Sequence, residues 1–510
     1  MKPSVIKLTV VAFLGMTLFA HAESVRPDDD QEAVLLTPPA PREPRINGPK
    51  VYGVRPGSPF LYRIPCTGER PLHFRAEGLP KGLALDPQTG IITGKMTSAG
   101  TNRVELFAKN ASGEARREFR IKVGNKLALT PPMGWNSWYI YYDRVSEAAI
   151  RDAADQMIAS GMADFGYQYV NSDDCWAVKP GPGDPPRAAD GQLLPNKHFP
   201  DIKGMVGYIH AKGLKAGIYI SPGPLTCAGY EGSWQHEAQD ARTFADWGFD
   251  FLKYDWCTYG TKAGGTALED LKKPYQQMWG ELQKQNRDIV FNLCQYGMGD
   301  VWKWGGDVGN CWRTTGDLGL EPNTNLPGFY SIGMSNASHW EYARPGAWND
   351  PDYILIGWVG DANGMGVGKK TTLAPNEQYS YMSMWALMTA PLIFSGDMTK
   401  LDAFTLNVLC NAEVIGVDQD PLGQQAKIQR KTPDEFVLVK ELEDGSKAVG
   451  LFNLSLHPRK ISISWKDLGI TGHQNLRDLW RQKEIGSFDN TFEIEVPPHG
   501  VEMVCVRPEK

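Results

Sequence analysis

The chain has 510 residues. That is too long for one core, because single domains rarely grow beyond ~250–300 residues, so two or three folded units are expected. It is 42% hydrophobic and 22% charged, an ordinary globular composition, and its 53 basic against 59 acidic residues leave −6 with no Lys/Arg block. This excludes the concentrated basic surface that nucleic acids or acidic membranes require.

The N-terminus carries Lys2 and Lys7, an apolar run over residues 8–19, and the small-x-small site Ala20-His21-Ala22. Residues 1–22 therefore read as a signal peptide, since about 12 apolar residues fall short of the ~20 that span a bilayer. No cysteine follows the site and no later run is long and apolar, so an exported protein is expected, periplasmic or extracellular, without a membrane anchor. Residues 23–45 are rich in Pro and Asp and read as a linker.

Over 46–124 short alternating strands such as RREFRIKV are separated by turn clusters (Leu79-Pro80, residues 87–90, Ala99-Gly100), the pattern of a small β-sandwich. The run GLPKGLALDPQTGIITG resembles the immunoglobulin-like domains of bacterial surface and secreted proteins, which implies a fold and not a function.

Residues 127–415 change character. Eight apolar segments (MGWNSW, YQYVNSDD, LKAGIYIS, DFLKYDW, IVFNLCQYG, DVGNCWRTT, AWNDPDYILIG, APLIFSG) alternate with helical patterns such as SEAAIRDAADQMIASGM. Non-alternating strands of this kind form parallel sheets, and eight of them predict a (β/α)8 barrel. No Gly-rich nucleotide loop follows the first strand. After Pro421 the pattern is strands only (FVLVKEL, KAVGLFNLS, KISISW, TFEIEVP, GVEMVCV), so 424–510 are read as a C-terminal antiparallel β-sandwich.

Eight Cys without a CxxC pair and nine scattered His give no metal-ligand spacing, so neither a metal nor a cofactor is expected. In a parallel barrel reactive groups project from the C-terminal strand ends. Those ends carry Trp138, Asp173, Asp174, Tyr219, Lys253, Asp255, Gln295, Arg313, Asp317, Asn349, Asp350 and Asp352. One such Asp is ordinarily a helix cap, but several converging carboxylates beside aromatic and basic groups suit glycosidic bond cleavage.

With these residues in place, 127–505 resembles glycoside hydrolase family 27, the melibiase or α-galactosidase family. The runs that carry the likeness are TPPMGWNSW, YQYVNSDDCW, LKAGIYIS, TFADWGFDFLKYDWC, CWRTTGD, PGAWNDPDYILIG, APLIFSGD and VIGVDQDPLG. The resemblance implies a retaining exo-glycosidase with Asp255 as nucleophile and Asp317 as general acid/base. It implies Asp173 and Asp174 as ligands of the sugar O4 and O6, Lys253 and Arg313 as donors to ring hydroxyls, and Trp138 as an apolar wall. Tyr219 and Asp352 would line the same pocket. A Cys227–Cys257 disulfide beside the nucleophile is likewise implied.

In retaining enzymes the two carboxyls lie about 5–5.5 Å apart, so the pKa of the acid should rise, while Lys253 on the same strand face should keep Asp255 ionised. The chain departs from the family at Cys175, whose usual partner is missing after GWNSW, and at Gln295, where many members carry a glutamate that reads the sugar 2-OH. Cys294 and Cys311 are read either as a pair or as two buried thiols, and Cys66, Cys410 and Cys505 as core residues. An α-galactoside oligo- or polysaccharide is the expected substrate. α-N-acetylgalactosaminidase or β-L-arabinopyranosidase activity, or a silent carbohydrate-binding protein, are the alternatives.

Overall fold

The computed structural model describes residues 33–183, 185–319, 326–360 and 368–509. The expected signal peptide and the first part of the linker, up to residue 32, lie outside the described residues.

The eight apolar segments form one parallel sheet. Its strands, called one to eight below, are Met133–Asn136, Tyr169–Asn171, Lys215–Ile220, Phe251–Asp255, Val290–Cys294, Cys311–Arg313, Trp348–Asp350 and Leu392–Phe394. Neighbours in sequence pair in space, and strand eight returns to strand one. Between strands seven and eight the cylinder closes through one parallel bridge, Ile354 to Phe394, with Ile354 N–H donating to the Ile393 carbonyl at 2.7 Å. Strands three, four and five are buried throughout, as expected where helices cover one face and the barrel interior fills the other.

The helical patterns become helices with ordinary end signals. Glu147–Ala159 starts at Ser146, whose side chain accepts from Ala149 N–H, and Glu237–Trp247 stops at Gly248 with φ +95°.

The first sandwich pairs a sheet of Val51–Val54, Gly113–Val123, Gly100–Asn110 and His73–Glu77 with one of Pro59–Arg63, Ile91–Lys95 and Leu83–Leu85. Its core (Phe60, Tyr62, Ile92, Leu106, Phe119, Ile121) is separate from that of the barrel. It sits beneath the barrel, at the N-terminal ends of the strands. The Tyr52 hydroxyl meets Lys215, the first residue of strand three. Arg55 pairs with Asp288 at 2.7 Å, and its guanidinium also donates to the Gln283 and Gln285 carbonyls at the C-terminal end of helix Leu268–Gln283. Such carbonyls have no partner within their own helix, so the arginine satisfies orphan acceptors while docking one domain on another.

The C-terminal unit is a six-stranded antiparallel sheet over the pair Arg459–Ser464 and Thr491–Val496. One face of the large sheet merges with the barrel core, where Phe436, Leu438, Phe452 and Met503 belong to the same cluster as Trp385 and Leu387. Helix Pro375–Leu387 lies at this junction and is buried on every side from Glu377 to Leu387. Its polar groups are satisfied there: Glu377 meets His499 at 2.8 Å, and Ser383 accepts from Trp480 Nε1 at 2.8 Å.

Candidate active site

The candidate residues collect at the C-terminal mouth of the barrel, and strand four supplies the centre. Side chains alternate along a strand, so Lys253 and Asp255 turn to the interior while Leu252 and Tyr254 pack outward, Tyr254 against Tyr275 of the covering helix.

Asp255 is buried, and each carboxylate oxygen accepts from a phenol: Oδ2 from Tyr219 at 3.1 Å and Oδ1 from Tyr296 at 2.6 Å. Burial pushes its pKa from 3.8 up to about 6; Lys253 and the Tyr296 bond oppose the rise, and the charges of Asp317 and Asp173 add to it. Asp317 stands on the turn after strand six with its side chain 61% exposed, 3.2 Å from Arg313 Nη2. The carboxyl that burial raises is thus Asp255. The predicted help from Lys253 is present but does not overcome desolvation.

Lys253 Nζ pairs with Asp173 Oδ2 at 2.9 Å and lies 5.2 and 5.1 Å from the ring centres of Tyr219 and Tyr353, with Trp138 at 6.0 Å. Burial alone would lower its pKa. Asp173, with Tyr353, Cys294 and Asp255, outweighs that and holds the ammonium well above the usual lysine range. The same Asp173 oxygen also accepts from Asn136 Nδ2 at 2.9 Å and Tyr353 OH at 3.1 Å, while Oδ1 takes Asp174 N–H.

Asp174 is buried and pushed up to about 7 by burial, against backbone bonds from Ala228 and Cys175. The Ala228 bond ties Asp174 to the loop that carries Cys227. That loop is fastened a second time by the Cys227–Cys257 disulfide, with Cα atoms 5.0 Å apart. Cys257 Sγ lies 3.2 Å from the Tyr219 hydroxyl, so the bridge touches a hydrogen-bond partner of Asp255.

Arg313 is buried with Nη2 3.0 Å from Asp352 and 2.6 Å from the Gly316 carbonyl. It faces Asp317 rather than Asp255. Asp352 is occupied in turn: beside Arg313 it accepts from Tyr139 OH and from the Leu318 and Tyr353 amides, all at 2.9 Å. Asn349 and Asp350, also at strand ends, are spent on Trp312, Gln425, Asn292 and the Asp352 amide. Gln295 is buried; its amide nitrogen donates to the Met298 carbonyl at 2.9 Å and its Oε1 has no partner.

Cys175, Cys294, Cys311, Cys66 and Cys410 are free and buried, and Cys505 is half-buried and free. Among the described residues the one group of potential metal ligands within 4.8 Å of one another is Cys227, Asp255 and Cys257, but both sulfurs are consumed in the disulfide.

Asn136, Tyr139, Tyr353 and Tyr296 were not singled out by the sequence. Asn136 could have been, as the last residue of strand one. Tyr296 adjoins Gln295 but is aimed by an unusual backbone: it has φ +64°, and Cys175, Cys257 and Asp352 are also left-handed at +75°, +33° and +84°. Non-glycine residues in this region carry strain of roughly 1–3 kcal/mol and gather at functional sites.

Comparison with known proteins gives three family matches: "Alpha galactosidase A" over residues 130–420, "Alpha galactosidase C-terminal beta sandwich domain" over 435–506 and "Putative Ig domain" over 43–124. Alpha-galactosidase 2 of Arabidopsis thaliana is 38% identical over 396 residues, 77% of this chain and 93% of that protein. A "putative alpha-galactosidase/melibiase" from Bacteroides fragilis has a crystal structure similar to this one at TM-score 0.85, 36% identity, 93% coverage of this chain and 99% of that one. A β-L-arabinopyranosidase from Geobacillus stearothermophilus is more distant, at TM-score 0.66, 25% identity, 75% of this chain and 97% of that one.

Proposed function

The chain belongs to the alpha galactosidase family of glycoside hydrolases, and from that premise we propose that it is an exported retaining α-galactosidase that removes terminal α-linked galactose by double displacement. The observation that carries the reading is the Asp255 carboxylate, buried at the mouth of the barrel with a phenol on each oxygen and Asp317 close enough for its charge to be felt. Asp255 attacks C1 from the β-face while Asp317 protonates the leaving oxygen. Asp317 then takes a proton from the water that releases β-linked galactose from Asp255 with α-configuration restored.

Galactose is favoured over its relatives by the strand-end polar groups. Asp173 and Asp174 match the family's O4 and O6 ligands, and the unpartnered Gln295 Oε1 offers an acceptor to a sugar hydroxyl. A 2-acetamido group would need room where this glutamine side chain stands. On nitrophenyl glycosides, kcat/KM for the α-galactoside should exceed that for the α-N-acetylgalactosaminide and the β-L-arabinopyranoside by about 100-fold, the worth of one well-made hydrogen-bonded contact with a charged partner. Preference for either of the others moves the assignment within the family, and binding without release makes the protein a lectin-like module.

Export is supported by the basic, apolar and small-x-small pattern of residues 1–22. N-terminal sequencing of the protein recovered from an expressing bacterium's periplasm or medium should begin at Glu23; an intact Met1 in a cytoplasmic fraction would remove this part of the proposal.

A further inference from the structure

Asp255 is held by two phenols that are not equivalent. Tyr219 is fully buried on strand three, and its hydroxyl is shared between Asp255 Oδ2 at 3.1 Å and Cys257 Sγ at 3.2 Å. Tyr296 lies half-buried on the loop after strand five, and its hydroxyl donates to Oδ1 at 2.6 Å, with the other disulfide sulfur, Cys227 Sγ, farther off at 3.7 Å. That distance belongs to charge-assisted O–H···O⁻ bonds, about twice as strong as neutral ones.

The loop is built to aim this hydroxyl. Tyr296 adopts φ +64°, a costly conformation for an aromatic residue, and the following Gly297 adopts φ +83°. A Cβ at Gly297 would come within 2.4 Å of the Thr314 carbonyl, so the loop is pressed against the end of strand six. Gln295 Nε2 closes the turn on the Met298 carbonyl. A strained backbone, a tight glycine and a closing side chain together serve one short bond.

We infer that Tyr296 is a positioning residue for the double displacement, fixing Oδ1 of Asp255 as the spectator oxygen and leaving Oδ2, with its longer and shared bond, to attack the sugar. The inference rests on the assignment of Asp255 as nucleophile. In the first step the Oδ2–C1 bond forms, the C1–O bond to the leaving group breaks, and Asp317 supplies the proton to the departing oxygen. Oδ1 becomes the ester carbonyl, still accepting from Tyr296. In the second step water attacks C1, its proton passes to Asp317, and the C1–Oδ2 electron pair returns to the carboxylate. The charge that reappears on Oδ1 is met by a donor already in place, so Tyr296 assists departure of the carboxylate most.

The groups facing Asp255 are Lys253 on its own strand, Asp173 from strand two, Tyr219 from strand three, Cys294 and Tyr296 from strand five and its loop, Asp317 after strand six and Tyr275 from the covering helix. Of these Lys253 and the two donating phenols, Tyr219 and Tyr296, favour the charged carboxylate. Below about pH 6 the parent nucleophile takes up a proton, so its kcat/KM should fall on the acid side of that value.

Tyr296→Phe should move this acid limb upward by about half to one pH unit, because a donor to the charged form is lost. On a dinitrophenyl α-galactoside kcat should drop about tenfold, with KM falling in step and a burst of one phenol per site, as the ester intermediate accumulates. Tyr296→Met, which fills the space without a donor, should repeat both effects. An unmoved limb with no burst in either variant would overturn the inference and leave Tyr296 as part of the wall. A parent enzyme silent on every α-galactoside would instead overturn the proposed function; NMR titration of the Asp255 carboxyl, unshifted or shifted upward in Tyr296→Phe, still decides the positioning role without turnover.

Discussion

Asp255→Ala should abolish turnover of an aryl α-galactoside, by at least about 10⁴-fold, since it removes the proposed nucleophile. The shortened side chain leaves room for azide between Tyr219 and Tyr296. Azide should therefore restore part of the rate and yield β-galactosyl azide, the product of a single displacement from the nucleophile's side of the sugar. Appreciable turnover without azide, or an α-configured product, would remove Asp255 from its role.

A companion variant separates chemistry from folding. The rise of the Asp255 pKa from 3.8 to about 6 corresponds to about 3 kcal/mol against the charged form. Between those pH values the folded carboxyl holds a proton that the unfolded one has released, so its contribution to stability falls as pH rises through the window and stays unfavourable above it. Asp255→Asn abolishes this term. At pH 7 it should be inactive yet melt no lower than the parent, and a clearly lower melting temperature would show that the lost activity reflects damaged structure.

The second large effect concerns Asp317. General acid catalysis is worth about 10²–10⁴-fold, and the benefit scales with the basicity of the departing oxygen. Asp317→Ala should lose about 10³-fold on melibiose, whose leaving group is a sugar alkoxide, but less than about tenfold in first-step rate on a dinitrophenyl galactoside, which leaves unaided. Azide should now give α-galactosyl azide, because it attacks the intermediate on Asp255 from the opposite side. Equal losses on both substrates would assign the proton to another group. Exposure of Asp317 is compatible with the role, since it must meet leaving groups of different shape and then water.

Much of this arrangement was legible in the sequence. The eight strands of the barrel were each marked by a short apolar run, because a strand buried on both faces must be apolar nearly throughout. Strand-end acids were legible for the same reason: a charged residue that closes an apolar run is conspicuous. The C-terminal sheet was read less completely. His473–Asp478 and Lys483–Asp489 are mostly polar, so although the first alternates in burial, neither shows in its sequence the apolar/polar alternation that identifies a half-buried strand.

The site itself was legible as a set of residues but not as a network. Nothing local in the chain says that Asp352 is spent on Arg313, or that Asp173 gathers Asn136 and Tyr353 as well as Lys253. Those contacts join strands far apart in sequence. Tyr296 was hidden for another reason: its aim depends on a left-handed backbone, which tyrosine composition does not announce. The burial that raises Asp255 was likewise not legible, since the depth of a strand-end side chain depends on the loops that close over it.

The docking of the first sandwich beneath the barrel limits what that module can do. Tyr52 and Arg55 fix it at the pole where the strands begin, and the candidate carboxylate Asp255 lies at the pole where they end. A short saccharide held on the far side of this module would be kept from the mouth of the same molecule by the depth of the cylinder. Cooperation between holding and cutting would have to run from one molecule to its neighbour on a shared polymer.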